Sequence, residues 1–247
     1  MKKLVLFIPA ALFFIAITVG NIGCTKTIIP MSDTTVIAPI IPTPAPALIY
    51  KSYLALGDSY TIGQAVDSVE RFPAQTAALL KTQGFNIIPL QYIATTGWTT
   101  TNLSNAITSV NPQGPFDVVS LLIGVNDQYQ NRNINEYASR FSQLLQTAIQ
   151  LAGNNPTHVF VLSIPDYGVT PFGGNNPTIS QQIDAYNAIN KQVTLGISGV
   201  NYLDITPSSR LAATDRTLIA IDGLHPSGKQ YALWANQLAP QMLTALK

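Results

Sequence analysis

Short apolar runs alternate with amphipathic stretches along the chain from about residue 50 onward. The apolar runs predict strands at residues 52–56, 86–93, 118–123, 158–164 and 202–205. Between Val118 and Ile123 nearly every residue is apolar, which is typical of a strand covered on both faces. The pattern therefore indicates a parallel sheet at the centre of the domain.

The amphipathic stretches between these runs predict helices. The clearest is residues 135–152, where apolar side chains recur at helical spacing from Tyr137 to Ala152 and the segment Gly153 to Pro156 ends the helix. Further helices are predicted at about residues 71–82, 102–110, 178–195 and 227–246. Strands and helices in alternation predict a three-layer α/β/α sandwich with a central parallel sheet of about five strands and right-handed crossovers.

Residues that could take part in catalysis follow the predicted strands. Ser59 comes after the first strand, Gly97 after the second and Asn126 after the third, while the turn from Asp222 to His225 comes after the last. The carboxyl ends of parallel strands meet at one edge of a sheet, and ligands bind there. We therefore expect these four segments to converge on one site.

A serine hydroxyl needs a general base to act as a nucleophile, and the chain offers only two histidines, His158 and His225. Asp222 lies three residues before His225 and is placed to orient it and to stabilise its protonated form. His158 is predicted to begin a strand and to have a surface or core-edge role. The alternatives left open are that Ser59 caps a helix and that Asp222 only shapes an Asx turn.

Four sequence blocks together resemble the SGNH (GDSL-type) hydrolase family. They are Gly57-Asp58-Ser59, Thr95-Thr96-Gly97-Trp98, Gly124-Val125-Asn126-Asp127 and Asp222-Gly223-Leu224-His225. The family's Ser, Gly, Asn and His match Ser59, Gly97, Asn126 and His225 in order. The resemblance runs from about Tyr53 to the C-terminus, and it departs from the pattern at Tyr60, where the family usually has leucine.

The resemblance implies a flavodoxin-like SGNH hydrolase fold and a carboxylic-ester hydrolase with a Ser59-His225-Asp222 triad. It further implies that the backbone amides of Ser59 and Gly97 and the side-chain amide of Asn126 form the oxyanion hole. Gly97 as a plain turn glycine and Asn126 as a helix cap remain the alternatives. Tyr60, Trp98 and Tyr167 are candidates for the substrate pocket, with core packing as the other possibility, and the loop 165–177 is long enough to shape its rim.

The N-terminus predicts export. Lys2 and Lys3 precede an apolar run and then Gly23-Cys24, so residues 1–23 are interpreted as a lipoprotein-type signal peptide and Cys24 as the acylation site. Asn21 departs from the usual lipoprotein signal, which leaves an ordinary cleaved signal and an uncleaved anchor as alternatives. Residues 24–48, rich in Pro and Thr, predict an extended tether, and residues 49–247 the hydrolase domain. The predicted location is a bacterial cell envelope, with a lipid anchor as the contact to the membrane.

The charge and composition of the chain argue against several classes of partner and cofactor. Without residues 1–23 the count of Lys and Arg falls from 13 to 11 against 12 Asp and Glu, so the mature chain lacks the basic excess of a nucleic-acid binder. With no His/Cys cluster or Gly-rich phosphate loop, neither a metal nor a nucleotide cofactor is expected. We expect a monomer.

The substrate is less closely defined by the sequence. The small, polar segment from Thr95 to Thr101 and the predicted export favour short acyl groups, such as acetyl on carbohydrates or small esters. A lysophospholipase-like or thioesterase-like lipid hydrolase is the first alternative. A surface glycan-binding lipoprotein without turnover is the second, since a fold does not by itself define an activity.

Overall fold

The computed structural model describes residues 47–247, so the predicted signal peptide, Cys24 and most of the predicted tether lie outside the described range. The description begins with an exposed segment that leads into the first strand. Within residues 47–247 no helix combines the length and the apolar character needed to cross a bilayer.

The centre of the domain is a five-stranded sheet in which every pairing is parallel. Its strands are β1 (Ile49–Gly57), β2 (Phe85–Ala94), β3 (Val118–Leu122), β4 (Val159–Leu162) and β5 (Asn201–Leu203), and their order in the sheet is β2-β1-β3-β4-β5. Every residue of β3 and β4 is buried. The continuous apolar runs in the sequence predicted this, because they are typical of strands covered on both faces. The predicted parallel sheet is confirmed.

Helices connect and cover the strands. Within the described residues they are α1 (Ser59–Ile62), α2 (Phe72–Thr82), α3 (Thr100–Val110), α4 (Val125–Tyr129), α5 (Ile134–Leu151), α6 (Pro177–Leu195), α7 (Thr206–Arg210) and α8 (Gly228–Leu246). Helix α2 packs against α8, while α5 packs against both α3 and α6. The α/β/α layering predicted from the sequence is confirmed.

Most predicted boundaries differ from the observed ones by a few residues. Helix α3 begins two residues earlier than predicted because the side chains of Thr99 and Asn102 form a capping box at its start. His158 does not begin a strand, since it ends a 3-10 helix and β4 starts at Val159. The short helices α1, α4 and α7 span only four or five residues and carry too little periodicity to be predicted.

The strand order reverses between β1 and β3, because β1 is followed by β2 on one side and the chain then crosses to β3 on the other. Such a reversal opens a crevice at the carboxyl ends of the two strands. The chain leaves β1 into Asp58 and Ser59, and leaves β3 into the segment that carries Asn126. The fold thus brings the first and third sequence blocks to adjacent strand ends.

Candidate active site

A cavity of about 250 Å³ lies at this crevice. Ser59, Gly97 and Asn126 line it together, and Leu224, the neighbour of His225, lines it from the turn before α8. The structure therefore brings three of the predicted site residues to one cavity wall. The fourth segment reaches the cavity after a longer path than expected, because α7 and two 3-10 helices lie between β5 and Asp222.

Ser59 is the first residue of α1 and is almost fully buried. The side chain that caps this short helix belongs to Asp58, whose Oδ1 accepts the Tyr60 N–H at 3.0 Å. The helix is therefore capped by Asp58, and the alternative in which the Ser59 side chain caps it does not hold. Gly57 precedes this turn, and a Cβ at Gly57 would collide with Thr61 and with the Leu122 carbonyl, so only glycine lets the backbones approach here.

Asp58 itself is fully buried, and its Oδ2 has no hydrogen-bond partner among the described residues. Burial, with the nearby charge of Asp127 adding to it, raises the pKa of Asp58 to about 8, although the Tyr60 N–H acts in the opposite direction. Asp58 is therefore a neutral carboxylic acid at pH 7. It can cap α1 without placing a negative charge beside Ser59.

Asp222 and His225 form a close pair. The Asp222 Oδ2 lies 2.6 Å from His225 Nδ1, and Oδ1 accepts the backbone N–H groups of Leu224 and His225 at 3.0 Å each. Asp222 thus shapes an Asx turn and contacts the imidazole at the same time. When Nδ1 carries the proton that this contact requires, Nε2 is left as an acceptor for another donor.

The carboxylate of Asp222 is favoured by its surroundings. Partial burial acts to raise its pKa, but the hydrogen bonds from the His225 ring and from the two backbone N–H groups outweigh burial and hold the pKa below its ordinary value. Asp222 is therefore a carboxylate at neutral pH. An ionised partner on Nδ1 stabilises a positive imidazole ring.

Ser59 Oγ makes no hydrogen bond to the His225 ring among residues 47–247, where the ring contacts Asp222 through Nδ1. Nucleophile-to-base bonds of this kind are often long in unliganded enzymes and shorten in the substrate complex. The His225 side chain is nearly buried and its neighbour Leu224 lines the cavity. Ser59 and the neighbour of His225 therefore line the same cavity from two distant segments of the chain.

Gly97 lies in a turn with a φ of +83°, a conformation that favours glycine, and a Cβ there would meet no atom within 4 Å. The positive φ therefore accounts for a glycine at this turn, and Gly97 lines the cavity. Asn126 lies within α4, whose N-cap is Gly124, so its side chain does not cap the helix. Its Nδ2 donates to the Trp98 carbonyl at 3.0 Å, which leaves the second amide hydrogen for a ligand.

Hydrogen bonds join the Gly97 turn to α4. The Gly97 carbonyl accepts from Gln130 Nε2 at 3.2 Å, parallel to the bond between Asn126 and Trp98. One residue further on, the fully buried Asp127 accepts the Thr100 N–H at 2.8 Å and the Thr100 hydroxyl at 2.7 Å. Asp127 therefore fixes the start of α3 against α4, and with it the spacing between Gly97 and Asn126.

The Asp127 carboxylate is balanced by two arginines, with Arg140 at 3.6 Å and Arg132 at 4.0 Å. Arg140 also donates to the Thr100 hydroxyl at 3.2 Å. A buried carboxylate needs such partners because an isolated charge is costly away from water. Asp127 is a structural anchor behind the cavity and does not line it.

The far wall of the cavity is aromatic. Tyr129, Tyr167 and Phe172 lie with ring centroids 6.1 to 6.4 Å apart, and we refer to these three residues as the aromatic shelf. Tyr129 and Phe172 are each 54% exposed although both are large and aromatic, whereas Tyr167 is buried and donates to Gln128 at 2.8 Å. Exposed aromatic side chains at a cavity mouth are typical of ligand contacts.

Of the aromatic shelf, Tyr167 was predicted from the sequence as a candidate pocket residue, whereas Tyr129 and Phe172 were not. Tyr129 follows Asn126 by almost one helical turn, and Phe172 belongs to the long loop that was expected to shape the rim. Trp98, by contrast, does not line the cavity; its ring is packed against the core. His158 is half-buried at the other end of β4 and lies away from the cavity.

A model of the GDSL-like lipase/acylhydrolase family matches residues 55–233, which include all four sequence blocks. The chain belongs to the GDSL-like lipase/acylhydrolase family. This GDSL-like protein is accordingly a carboxylic-ester hydrolase. A search of curated proteins returned no match.

Solved structures share the fold of this GDSL-like hydrolase at low sequence identity. An acetylxylan esterase from Geobacillus stearothermophilus has 17% identity and a TM-score of 0.59, with 78% of this chain and 94% of that chain covered. A psychrotrophic esterase from Pseudoalteromonas sp. has 16% identity and a TM-score of 0.60, covering 79% and 98% of the two chains. A lipase/acylhydrolase from Enterococcus faecalis has 20% identity and a TM-score of 0.59, covering 80% and 97%.

Within residues 47–247, no group of three or more His, Cys, Asp or Glu side chains is placed to hold a metal ion.

Proposed function

We propose that the protein is an exported serine hydrolase that cleaves short-acyl carboxylic esters through an acyl-enzyme on Ser59. The observation that carries the proposal is one cavity lined jointly by Ser59, Gly97 and Asn126, with Leu224, the neighbour of the Asp222-paired His225, also in its lining. A nucleophile, a polarised base and free amide donors in one place are the parts that acyl transfer needs.

In the first step Ser59 Oγ attacks the ester carbonyl carbon while His225 Nε2 takes the hydroxyl proton. The carbonyl oxygen becomes an oxyanion, for which the N–H groups of Ser59 and Gly97 and the second amide hydrogen of Asn126 are the donors. The C–O bond to the alcohol then breaks, and His225 returns its proton to the departing alcohol oxygen. Asp222 stabilises the imidazolium throughout.

In the second step water repeats the attack on the acyl-enzyme. His225 takes one proton from the water as it adds to the acyl carbon, and passes that proton to Ser59 Oγ when the acyl–oxygen bond breaks. A carboxylic acid leaves and Ser59 is restored. The cycle consumes one ester and one water and produces one acid and one alcohol, without a cofactor.

The cavity supports an uncharged, compact substrate group. None of its lining residues carries a charge, and its volume of about 250 Å³ is below the range of about 300 to 1,000 Å³ typical of sites for drug-sized ligands. The aromatic shelf offers flat apolar surface to the part of the ester that does not react. Acetyl groups on carbohydrates fit these requirements, and one structural neighbour is an acetylxylan esterase.

The substrate proposal is tested by measuring kcat/KM on p-nitrophenyl acetate, butyrate and octanoate, together with acetate release from an acetylated xylo-oligosaccharide. We expect acetate or butyrate to be preferred and the oligosaccharide to be deacetylated. A preference for octanoate would contradict the short-acyl proposal and favour the lipid-hydrolase alternative. Oligosaccharide binding without any turnover by a folded protein would favour the glycan-binding alternative.

The location proposal is export followed by lipid attachment at Cys24 in a bacterial cell envelope. It rests on the charge, apolar run and small residues of segment 1–24. Expression of the full chain and of Cys24→Ala, followed by separation of membrane and soluble fractions, tests it. We expect the wild type in the membrane fraction and an increased soluble share for the variant; equal partition of the two would contradict acylation of Cys24.

A further inference from the structure

Tyr60 follows the predicted nucleophile at the position where the sequence departs from the family pattern. The Tyr60 ring is 3% exposed, and its centroid lies 5.4 Å from that of the His225 ring, with the two planes inclined by 58°. Tyr60 also lines the cavity beside Ser59. One aromatic side chain therefore contacts the predicted base and the space in which the ester reacts.

An aromatic ring at this distance has an electrostatic consequence. The π-face of a ring attracts a cation within about 6 Å of its centroid, and the attraction is stronger where water is excluded. His225 is only 6% exposed. When His225 takes the proton of Ser59, its positive charge therefore develops next to the Tyr60 ring in a site with little water.

Apart from Asp222, the other ionisable groups near Tyr60 and His225 are already paired or neutral, which leaves the Tyr60 ring to stabilise the positive charge on His225. Asp222, on the same turn, contacts the Nδ1 side of the ring. From the segment after β4, Asp166 and Tyr167 share a small cavity with Tyr60, and Asp166 is already paired with Arg210 at 2.9 Å. Asp58, directly after β1, is neutral at pH 7 because its burial raises its pKa to about 8.

Tyr60 also stays neutral. Burial, with the nearby charge of Asp58 when it ionises, raises the pKa of Tyr60 well above its ordinary value. The ring therefore acts as an uncharged aromatic surface throughout the pH range in which esterases are assayed.

We propose that Tyr60 is a positioning residue for His225. The Tyr60 ring holds the imidazole beside Ser59 and stabilises the protonated imidazole while the ester is attacked. The inference rests on the proposed function, because it assigns His225 the role of base. It explains what the aromatic ring contributes at a position where a leucine would give the base an aliphatic neighbour.

The test compares Tyr60→Phe, which keeps the ring, with Tyr60→Leu, which removes it. The profile of kcat/KM against pH is measured on p-nitrophenyl acetate with the purified full chain. We expect Tyr60→Phe to keep the position of the acidic limb. For Tyr60→Leu we expect the limb to move to lower pH by about 0.4 to 1.5 units, because a less stabilised imidazolium loses its proton more readily. The plateau value of kcat/KM should fall by about tenfold.

A purely structural role would lower the melting temperature or the plateau rate of Tyr60→Leu without moving the acidic limb, and that result would overturn the inference. Identical limb shifts in the phenylalanine and leucine variants would also overturn it, since they would assign the effect to the hydroxyl. If Tyr60→Leu does not fold, Tyr60→Met supplies a flexible apolar side chain without a ring, and the same limb shift is expected.

A Ser59→Ala control separates this inference from the proposed function. Turnover that survives in Ser59→Ala would refute the serine mechanism itself. An inactive Ser59→Ala together with an unmoved limb in Tyr60→Leu would leave the mechanism intact and refute only the role of Tyr60.

Discussion

At the scale of single residues, Asn126 has the most specific local geometry. One of its amide hydrogens is used by the Trp98 carbonyl, so the side chain is held in place and the other hydrogen is available to the cavity. A side chain fixed in this way needs little reorganisation when an oxyanion forms. Loss of the Asn126 amide should therefore lower kcat more than it raises KM.

Asn126→Ala is predicted to lower kcat by on the order of a hundredfold or more, because one oxyanion donor is lost while the substrate still binds. The measurement is steady-state hydrolysis of p-nitrophenyl acetate. Asn135→Ala, an exposed asparagine on α5, is the matched control and should leave kcat unchanged. An unchanged kcat in a folded Asn126→Ala would remove Asn126 from the oxyanion hole.

Asp222 has two roles at the residue scale, and a substitution can separate them. Asp222→Asn keeps an Oδ1 acceptor for the turn but cannot stabilise an imidazolium through Nδ1. We predict a fall in kcat on the order of a thousandfold or more. Hydrolysis rates and circular dichroism together check this, and a folded variant with nearly wild-type kcat would show that Asp222 only shapes the turn.

At the scale of elements, two of the three predicted oxyanion donors, Gly97 and Asn126, come from the turn before α3 and from helix α4. Their spacing depends on three hydrogen bonds. Asn126 donates to the Trp98 carbonyl, Gln130 at the end of α4 donates to the Gly97 carbonyl, and the Thr100 N–H donates to Asp127. The bond between Asp127 and Thr100 is buried, so it is shielded from competition with water. Loss of this hydrogen bond, the tie between α3 and α4, should lower both the free energy of unfolding and kcat.

Thr100→Val tests that tie, because valine keeps the shape of threonine and removes the hydroxyl bonded to Asp127 and Arg140. The predicted cost is about 1 to 3 kcal/mol in the free energy of unfolding, since a buried carboxylate loses a donor. We also expect a lower kcat. Denaturant unfolding and kinetics measure the two effects.

Thr101→Val is the matched control on the same helix, since Thr101 makes no side-chain hydrogen bond among the described residues and is only half-buried. It should leave both stability and kcat near the wild-type values. Equal effects of Thr100→Val and Thr101→Val would contradict a specific role for the tie between α3 and α4.

At the scale of the whole molecule, the buried neutral Asp58 couples folding to pH. Its pKa is about 8 in the folded protein, above the ordinary value of 3.8 that it has in an unfolded chain. Between these values the unfolded chain has lost a proton that the folded protein keeps. The stability from Asp58 is therefore complete below about pH 4 and is lost as pH rises through about 8, at up to about 1.4 kcal/mol per pH unit.

Asp58→Asn removes this coupling. We predict that the melting temperature of the variant, taken relative to the wild type, rises steadily as the pH is raised from about 5 to about 8. Thermal unfolding at a series of pH values measures the difference. Asp67→Asn, which changes an exposed carboxylate, should show no such trend. A constant difference between Asp58→Asn and wild type would contradict a neutral Asp58.

The fold was largely predictable because its strongest signals are local. The apolar run at β3 and the helical spacing in α5 specify buried elements without reference to the rest of the chain. Short helices such as α4 escaped prediction, since five residues carry little periodicity. The exact ends of the elements depend on side-chain caps and on neighbouring segments.

The site was predictable only where sequence blocks mark it. Ser59, Gly97 and Asn126 each follow a strand, and the parallel sheet alone brings them to one edge. The aromatic shelf depends on contacts between α4 and a loop more than 35 residues away, which no local pattern records. The neutral state of Asp58 likewise follows from burial, which is a property of the assembled core.

The proposed mechanism depends above all on Ser59 as the nucleophile, and intact-mass spectrometry after treatment with a fluorophosphonate tests this assignment. We predict one covalent adduct on Ser59 in the wild type, with parallel loss of ester hydrolysis, and neither adduct nor turnover in Ser59→Ala. Ser68→Ala, at an exposed serine, should behave as the wild type. An adduct on Ser59→Ala, or turnover that survives in that variant, would contradict the account.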